Sequence, residues 1–128
     1  MTKKVLIVDD EPHIRLLLEQ TLEDLVDEGL IDLLMATNGQ EALEMIQAER
    51  PALVFLDVMM PKMNGFDVCQ KVKRDLGLVE VFIILLTAKG QEFDKAQGLK
   101  AGADIYMTKP FDPDQVVERS IQVLGLTV

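Results

Sequence analysis

Five short apolar runs, at residues 4–8, 31–36, 53–56, 81–86 and 103–107, dominate the pattern of this chain. Three are nearly uninterrupted by polar residues, and a strand that is apolar at successive positions must be buried on both faces of its sheet. That requirement excludes a half-solvated sheet. The covering comes from intervening amphipathic segments with a helical period: Ile14, Leu17, Leu18, Thr21, Leu22 and Leu25 fall on one stripe, with Arg15, Glu19, Gln20 and Glu23 opposite. Helix starts are marked by capping chemistry. Asn38 with Glu41 reads as a capping box, Asn64 precedes a helix carrying Val68, Cys69 and Val72, and Asp112 caps before Pro113. A helix at residues 91–100, with Gly98 near its end and a thin apolar face, is the weakest, and a last one covers residues 112–124. Strands alternating with helices give an α/β fold, a doubly wound parallel sheet, because parallel neighbours need right-handed crossovers.

The 128 residues suffice for one domain, residues 1–128, with its own core. No apolar run is long enough to span a bilayer and no signal-peptide pattern opens the chain, so a cytoplasmic location without a membrane partner is expected. Cys69, the lone cysteine, cannot form an internal disulfide and reads as a small core residue. A net charge of −9 opposes contact with a polyanion, so direct nucleic-acid binding is not expected. Few residues follow the last helix, and a stand-alone domain without an output module is the expectation.

In doubly wound sheets chemistry sits beyond the carboxyl ends of the strands, where strand order reverses. Those ends carry Asp9-Asp10-Glu11, Asp57, Thr87-Ala88 and Lys109-Pro110. In the order 2-1-3-4-5, Asp9, Asp10 and Asp57 converge, with Thr87 and Lys109 beside them. Crowded carboxylates repel by roughly 4 kcal/mol per pair at ~4 Å, a strain that a divalent cation relieves, and all-oxygen donors favour Mg²⁺ or Mn²⁺. A carboxylate next to that cation can act as a nucleophile toward phosphorus, with the Lys109 ammonium and the Thr87 hydroxyl receiving the phosphoryl oxygens. An isolated Asp-Asp pair could equally end a strand and cap a helix; the conjunction of four rim positions favours chemistry.

Four stretches carry a family resemblance: Val5-Leu-Ile-Val-Asp-Asp-Glu11, Leu56-Asp-Val-Met-Met-Pro-Lys-Met-Asn-Gly65, Leu86-Thr-Ala88 and Gly102-Ala-Asp-Ile-Tyr-Met-Thr-Lys-Pro-Phe111. In this order and spacing the chain resembles the receiver domains of two-component response regulators, including the chemotaxis type. The resemblance implies a flavodoxin-like sheet of order 2-1-3-4-5. It makes Asp57 the phosphoacceptor, Asp9, Asp10, Asp57 and the Met59 carbonyl the Mg²⁺ pocket, Thr87 and Lys109 the phosphoryl-binding pair, and Lys109-Pro110 a cis peptide. Thr87 and Tyr106, placed at the end of the fifth strand, become the switch. The implied partners are a sensor histidine kinase or phosphotransfer protein and a downstream protein target. The target would be read by the face of residues 91–100, 103–107 and 112–124, on a monomer that can dimerise when phosphorylated. Met59 and Lys89 would line the path of attacking water. The receiver would catalyse its own phosphorylation and dephosphorylation without being a turnover enzyme.

Competing readings fit less well. A haloacid-dehalogenase-type phosphatase wants a second Asp at position 59, where Met59 stands, and a flavin module wants a Gly/Ser/Thr-rich first loop in place of Asp9-Asp10-Glu11. A pseudo-receiver would lack matching chemical residues, and here each is present. His13, after Pro12 in a first helical turn, reads as a solvated side chain. Met59, Met60 and Met63 read as gap-fillers under a loop shaped by Pro61 and Gly65.

Overall fold

The computed structural model describes residues 2–88 and 100–126. Its strands are β1 (Lys3–Val8), β2 (Ile31–Ala36), β3 (Leu53–Asp57), β4 (Phe82–Ala88) and β5 (Ile105–Lys109), and its helices are α1 (Pro12–Thr21), α2 (Glu23–Asp27), α3 (Gly39–Glu49), α4 (Gly65–Gln70) and α5 (Pro113–Leu124). The strands form one sheet in the order β2-β1-β3-β4-β5, with parallel pairing throughout.

The two-residue period of a strand divides the core. Leu6, Val8, Val54, Leu56, Ile83 and Leu85 face a layer containing Ala42 and Ile46 of α3 and Val68 and Cys69 of α4. Val5, Ile7, Leu53, Phe55, Ile84 and Leu86 face the opposite layer, with Leu18 of α1, Leu25 of α2 and Val116 and Leu124 of α5. Burial of every β3 side chain is the doubly covered sheet that the apolar runs require.

The caps follow the sequence. Asn38 Oδ1 accepts from Glu41 N, while the Glu41 carboxylate reaches back to Thr37 N; Asn64 and Asp112 accept from Asp67 N and Asp114 N.

Several boundaries differ from the pattern. The expected 14–25 helix is interrupted at Leu22, where Thr21 Oγ1 donates to Leu17 O at 2.7 Å and competes with the backbone ladder, and Leu17 is exposed instead of buried. β4 and β5 run two residues further than the apolar runs, because Thr87 and Lys109 still make ladder pairs although both are polar. β5 begins only at Ile105: Asp104 Oδ2 accepts from Ile83 N, and Gly102 occupies a left-handed conformation against Lys73. Tyr106 is therefore the second residue of β5 and not its end. Residues Lys71–Asp75 extend α4 as a π-helical turn with no signal in the hydropathy pattern. Of the helix expected at 91–100 only Lys100 is described; the rest, with Lys89, lies outside the described residues.

Candidate functional site

Strand register builds the site. Val8 pairs with Leu56, so Asp9 and Asp57, one step on, stand side by side at the ends of β1 and β3. Asp57 pairs with Leu86, which puts Thr87 one residue beyond it on β4, and Ala88 pairs with Lys109 at the end of β5. Asp9, Asp57 and Thr87 are all buried, whereas Asp10 is exposed.

Carboxylate oxygens of Asp9, Asp10 and Asp57 lie within 4.8 Å of one another. At that separation two full charges repel by about 3–4 kcal/mol at an effective dielectric of ~20. The Lys109 ammonium sits between two of them, its Nζ 2.9 Å from Asp57 Oδ1 and 3.0 Å from Asp9 Oδ2. Burial pushes the Asp57 carboxyl up to about 6; the Lys109 hydrogen bond opposes this and the charges of Asp9 and Asp10 reinforce it. Burial alone would lower the pKa of Lys109, but its hydrogen bonds to Asp57 and Asp9 prevail and hold it above the ordinary lysine value. Asp9 has a second duty, since its Oδ1 accepts from Glu11 N at 2.9 Å: it fixes the turn into α1 and faces the cluster at once. The bond shapes the approach to α1 without capping it, since Glu11 is the N-cap and α1 has no side-chain cap.

Among the described residues the buried Thr87 hydroxyl has no hydrogen-bond partner, although an unmatched buried hydroxyl is unfavourable. The Lys109–Pro110 peptide is cis. Met59, in the loop after β3, is 68% exposed, so any ligand it offers the pocket is its main-chain carbonyl; Met60 and Met63 pack against the core as gap-fillers, and Met59 does not. Tyr106 is 36% exposed and lines a cavity of about 800 Å³ with Phe111, Gln115 and Arg119, apart from the carboxylates. His13 is exposed beside Glu11.

Three supporting features escaped the sequence reading. The Arg15 guanidinium donates to the Asp9 carbonyl at 2.7 Å, and Glu11 lies 3.9 Å from Lys109. At Gly65 a Cβ would stand 2.4 Å from the Asp57 carbonyl oxygen, so the loop folds back against the end of β3 only because no side chain intervenes. The sequence marks Gly65 as a residue that shapes the loop, but not the main chain it packs against, eight residues back at Asp57.

The donor set fits a hard divalent cation. It consists of carboxylate oxygens, with no thiol or imidazole in the cluster, and an open side at Asp10 through which water can complete the coordination shell.

Such a sheet, with an acidic, lysine-bearing switch point whose carboxylates could hold a metal ion, defines a flavodoxin-like domain of the receiver class. The chain belongs to the response regulator receiver domains, whose family model matches residues 5–121, and its role is phosphorelay signalling. It is 44% identical over 124 residues to the alkaline phosphatase synthesis transcriptional regulatory protein PhoP of Bacillus subtilis, covering 97% of this chain and 49% of that protein. Identity to the phosphate regulon transcriptional regulatory protein PhoB of Pseudomonas aeruginosa is 44% over 125 residues, 98% of this chain and 53% of that one. The chain therefore spans about half the length of these curated relatives. Among solved structures, the chemotaxis response regulator CheY4 of Vibrio cholerae superposes with a TM-score of 0.83 at 31% identity, covering 96% of this chain and 99% of that one. No helix among the described residues is long and apolar enough to cross a membrane.

Proposed function

We propose that residues 1–128 act as one receiver domain that takes a phosphoryl group from the phosphohistidine of a sensor kinase or phosphotransfer protein onto Asp57. The carrying observation is the buried Asp57 carboxylate, held 2.9 Å from the Lys109 ammonium inside a cluster of three carboxylates. An Asp57 oxygen attacks phosphorus in line with the P–N bond. That bond breaks, the imidazole leaves with the electron pair, and an acyl phosphate remains on Asp57. Lys109 neutralises one phosphoryl oxygen and Thr87, with its unused hydroxyl, donates to another. Mg²⁺, or Mn²⁺ in its place, held by Asp9, Asp10, Asp57 and the Met59 carbonyl, would supply charge neutralisation between carboxylates and phosphoryl oxygens.

The added charge of about −1.5 to −2 is the signal. Thr87 follows it, Tyr106 turns inward, and the face of β5, α5 and residues 91–100 changes its affinity for a downstream protein target, with dimerisation through that face as one outcome. Self-catalysed phosphorylation and dephosphorylation, a cytoplasmic location and the absence of direct DNA contact by this domain belong to the same reading. The relatives' names as transcriptional regulators support an output on DNA carried by a partner or by another domain.

Incubation with acetyl phosphate and Mg²⁺ tests it. Wild type should gain one acid-stable, hydroxylamine-labile phosphoryl group, seen as a mass increase that EDTA or Asp57→Asn prevents. Unmodified wild type, or modification that survives Asp57→Asn, removes the reading.

A further inference from the structure

At the sheet edge opposite β5, α1 and α2 leave an open groove of about 630 Å³ against β2. Leu16, 51% exposed, and Val26, 36% exposed, line it with the half-buried Leu33 of β2. Glu19, Glu23 and Asp27 rim it at four-residue intervals, one per turn. That spacing persists through the helix interruption, because Leu22 N still bonds Leu18 O and Val26 N bonds Leu22 O. Asp32 adds a fourth carboxylate from β2, and no basic residue lines the groove.

Like charges four residues apart destabilise a helix by a few tenths of a kcal/mol per pair. Among the described residues the repulsion is uncompensated, since no Lys, Arg or His there pairs with Glu19, Glu23 or Asp27. An apolar floor beneath an anionic ladder complements one kind of ligand: a helix with an aliphatic stripe flanked by Lys or Arg at the same four-residue spacing. A second copy of this chain, at net charge −9, would meet repulsion instead.

We infer that the α1–α2–β2 groove is a docking surface for a basic amphipathic helix of a partner protein, separate from the Asp57 rim and from the β5–α5 face. It does not depend on the phosphoacceptor reading, and both can be tested on the same protein.

The probe is a 14-residue Leu/Lys peptide patterned as an amphipathic helix, with a scrambled peptide of identical composition as control. Amide chemical shifts of the full chain should move at Leu16, Gln20, Val26 and Leu33 with the patterned peptide. Its affinity should exceed that of the scrambled peptide at least tenfold and fall with added salt. The triple variant Glu19→Gln/Glu23→Gln/Asp27→Gln should bind at least tenfold more weakly, with a melting temperature no lower than wild type. Leu16→Ser should weaken binding by itself. Equal binding of both peptides, shifts centred on Asp9 and Asp10, undiminished binding by the triple variant, or self-association abolished by Leu16→Ser would each overturn the inference.

Discussion

Asp57→Asn should stabilise the metal-free protein. The Asp57 carboxyl is pushed from 3.8 to about 6, and that value is the net of burial, the Lys109 hydrogen bond and two repulsive carboxylates. The folded state therefore holds the proton more tightly than the unfolded chain. Relative stability from this group is fully present below pH 3.8 and is lost as pH rises through about 6. At pH 7.5 the ionised carboxylate costs up to about 3 kcal/mol at 1.36 kcal/mol per pH unit, and screening by water at the open Asp10 side reduces this to about 1–2 kcal/mol. Asparagine keeps the shape without the charge. In EDTA at pH 7.5 its melting temperature should rise by roughly 4–8 °C, and the gap should close as the pH approaches 4. Mg²⁺ should act the other way. At ten times its dissociation constant it stabilises wild type by about 1.4 kcal/mol, and it should help the variant less, because one carboxylate ligand is gone. Calorimetry of both proteins from pH 4 to 8, with and without Mg²⁺, reads all three effects. A variant less stable than wild type at pH 7.5 in EDTA, or a gap independent of pH, would refute the reasoning.

Lys109→Met, which leaves Asp9 and Asp57 facing each other unneutralised, should lower metal-free stability at pH 7.5 by about 2–3 kcal/mol in urea unfolding, and by clearly less in the Asp57→Asn background. Gly65→Ala forces the loop away from the Asp57 carbonyl; a loss of about 1–3 kcal/mol and slower phosphoryl uptake from acetyl phosphate are expected. Lys73 is buried and paired at 2.8 Å with the exposed Asp104, so Asp104→Leu, which strands the buried ammonium, should cost about 2–3 kcal/mol, while adding Lys73→Met should restore part of it in the same unfolding assay.

Strand number was legible from local pattern, and the strand order, from the family resemblance, brought Asp9, Asp10 and Asp57 together through the rule that chemistry sits at strand ends. What escaped detection depends on partners distant in sequence. Thr87 and Lys109 looked like loop residues because a hydropathy run stops at the first polar side chain, whereas the ladder is made of backbone and continues through both. The pairing of Lys73 with Asp104 joins positions on separate elements, and neither residue's neighbours announce it. Leu17 was assigned to the buried stripe by its helical period, yet it is exposed while Leu18, Leu22 and Leu25 are buried, because the apolar stripe is wider than the surface the sheet covers. The Arg15 contact to the Asp9 carbonyl follows from no residue-type rule, since the acceptor is main chain.

The two ends of the β4–β5 pair differ in a way that bears on the proposed switch. At the amino end, Asp104 Oδ2 takes Ile83 N while the buried Lys73 holds Asp104 at 2.8 Å and the Val79 carbonyl at 3.1 Å, so the start of both strands is clamped by this charge pair. At the carboxyl end, Val58 N bonds Leu86 O, which ties β4 to β3 up to the residue before Thr87 and no further. Thr87 is the buried hydroxyl among the described residues without a partner; Ser120, the other buried hydroxyl, already donates to Val116 O. A new anion beside Asp57 therefore finds in Thr87 a donor with a hydrogen bond to gain and none to break. Thr87 pairs with Thr108 and Leu85 with Tyr106, so a shift at Thr87 reaches β5 within two ladder steps while the clamp holds the far end still. On the proposed reading the displacement passes through these pairs to the Tyr106 side of the domain.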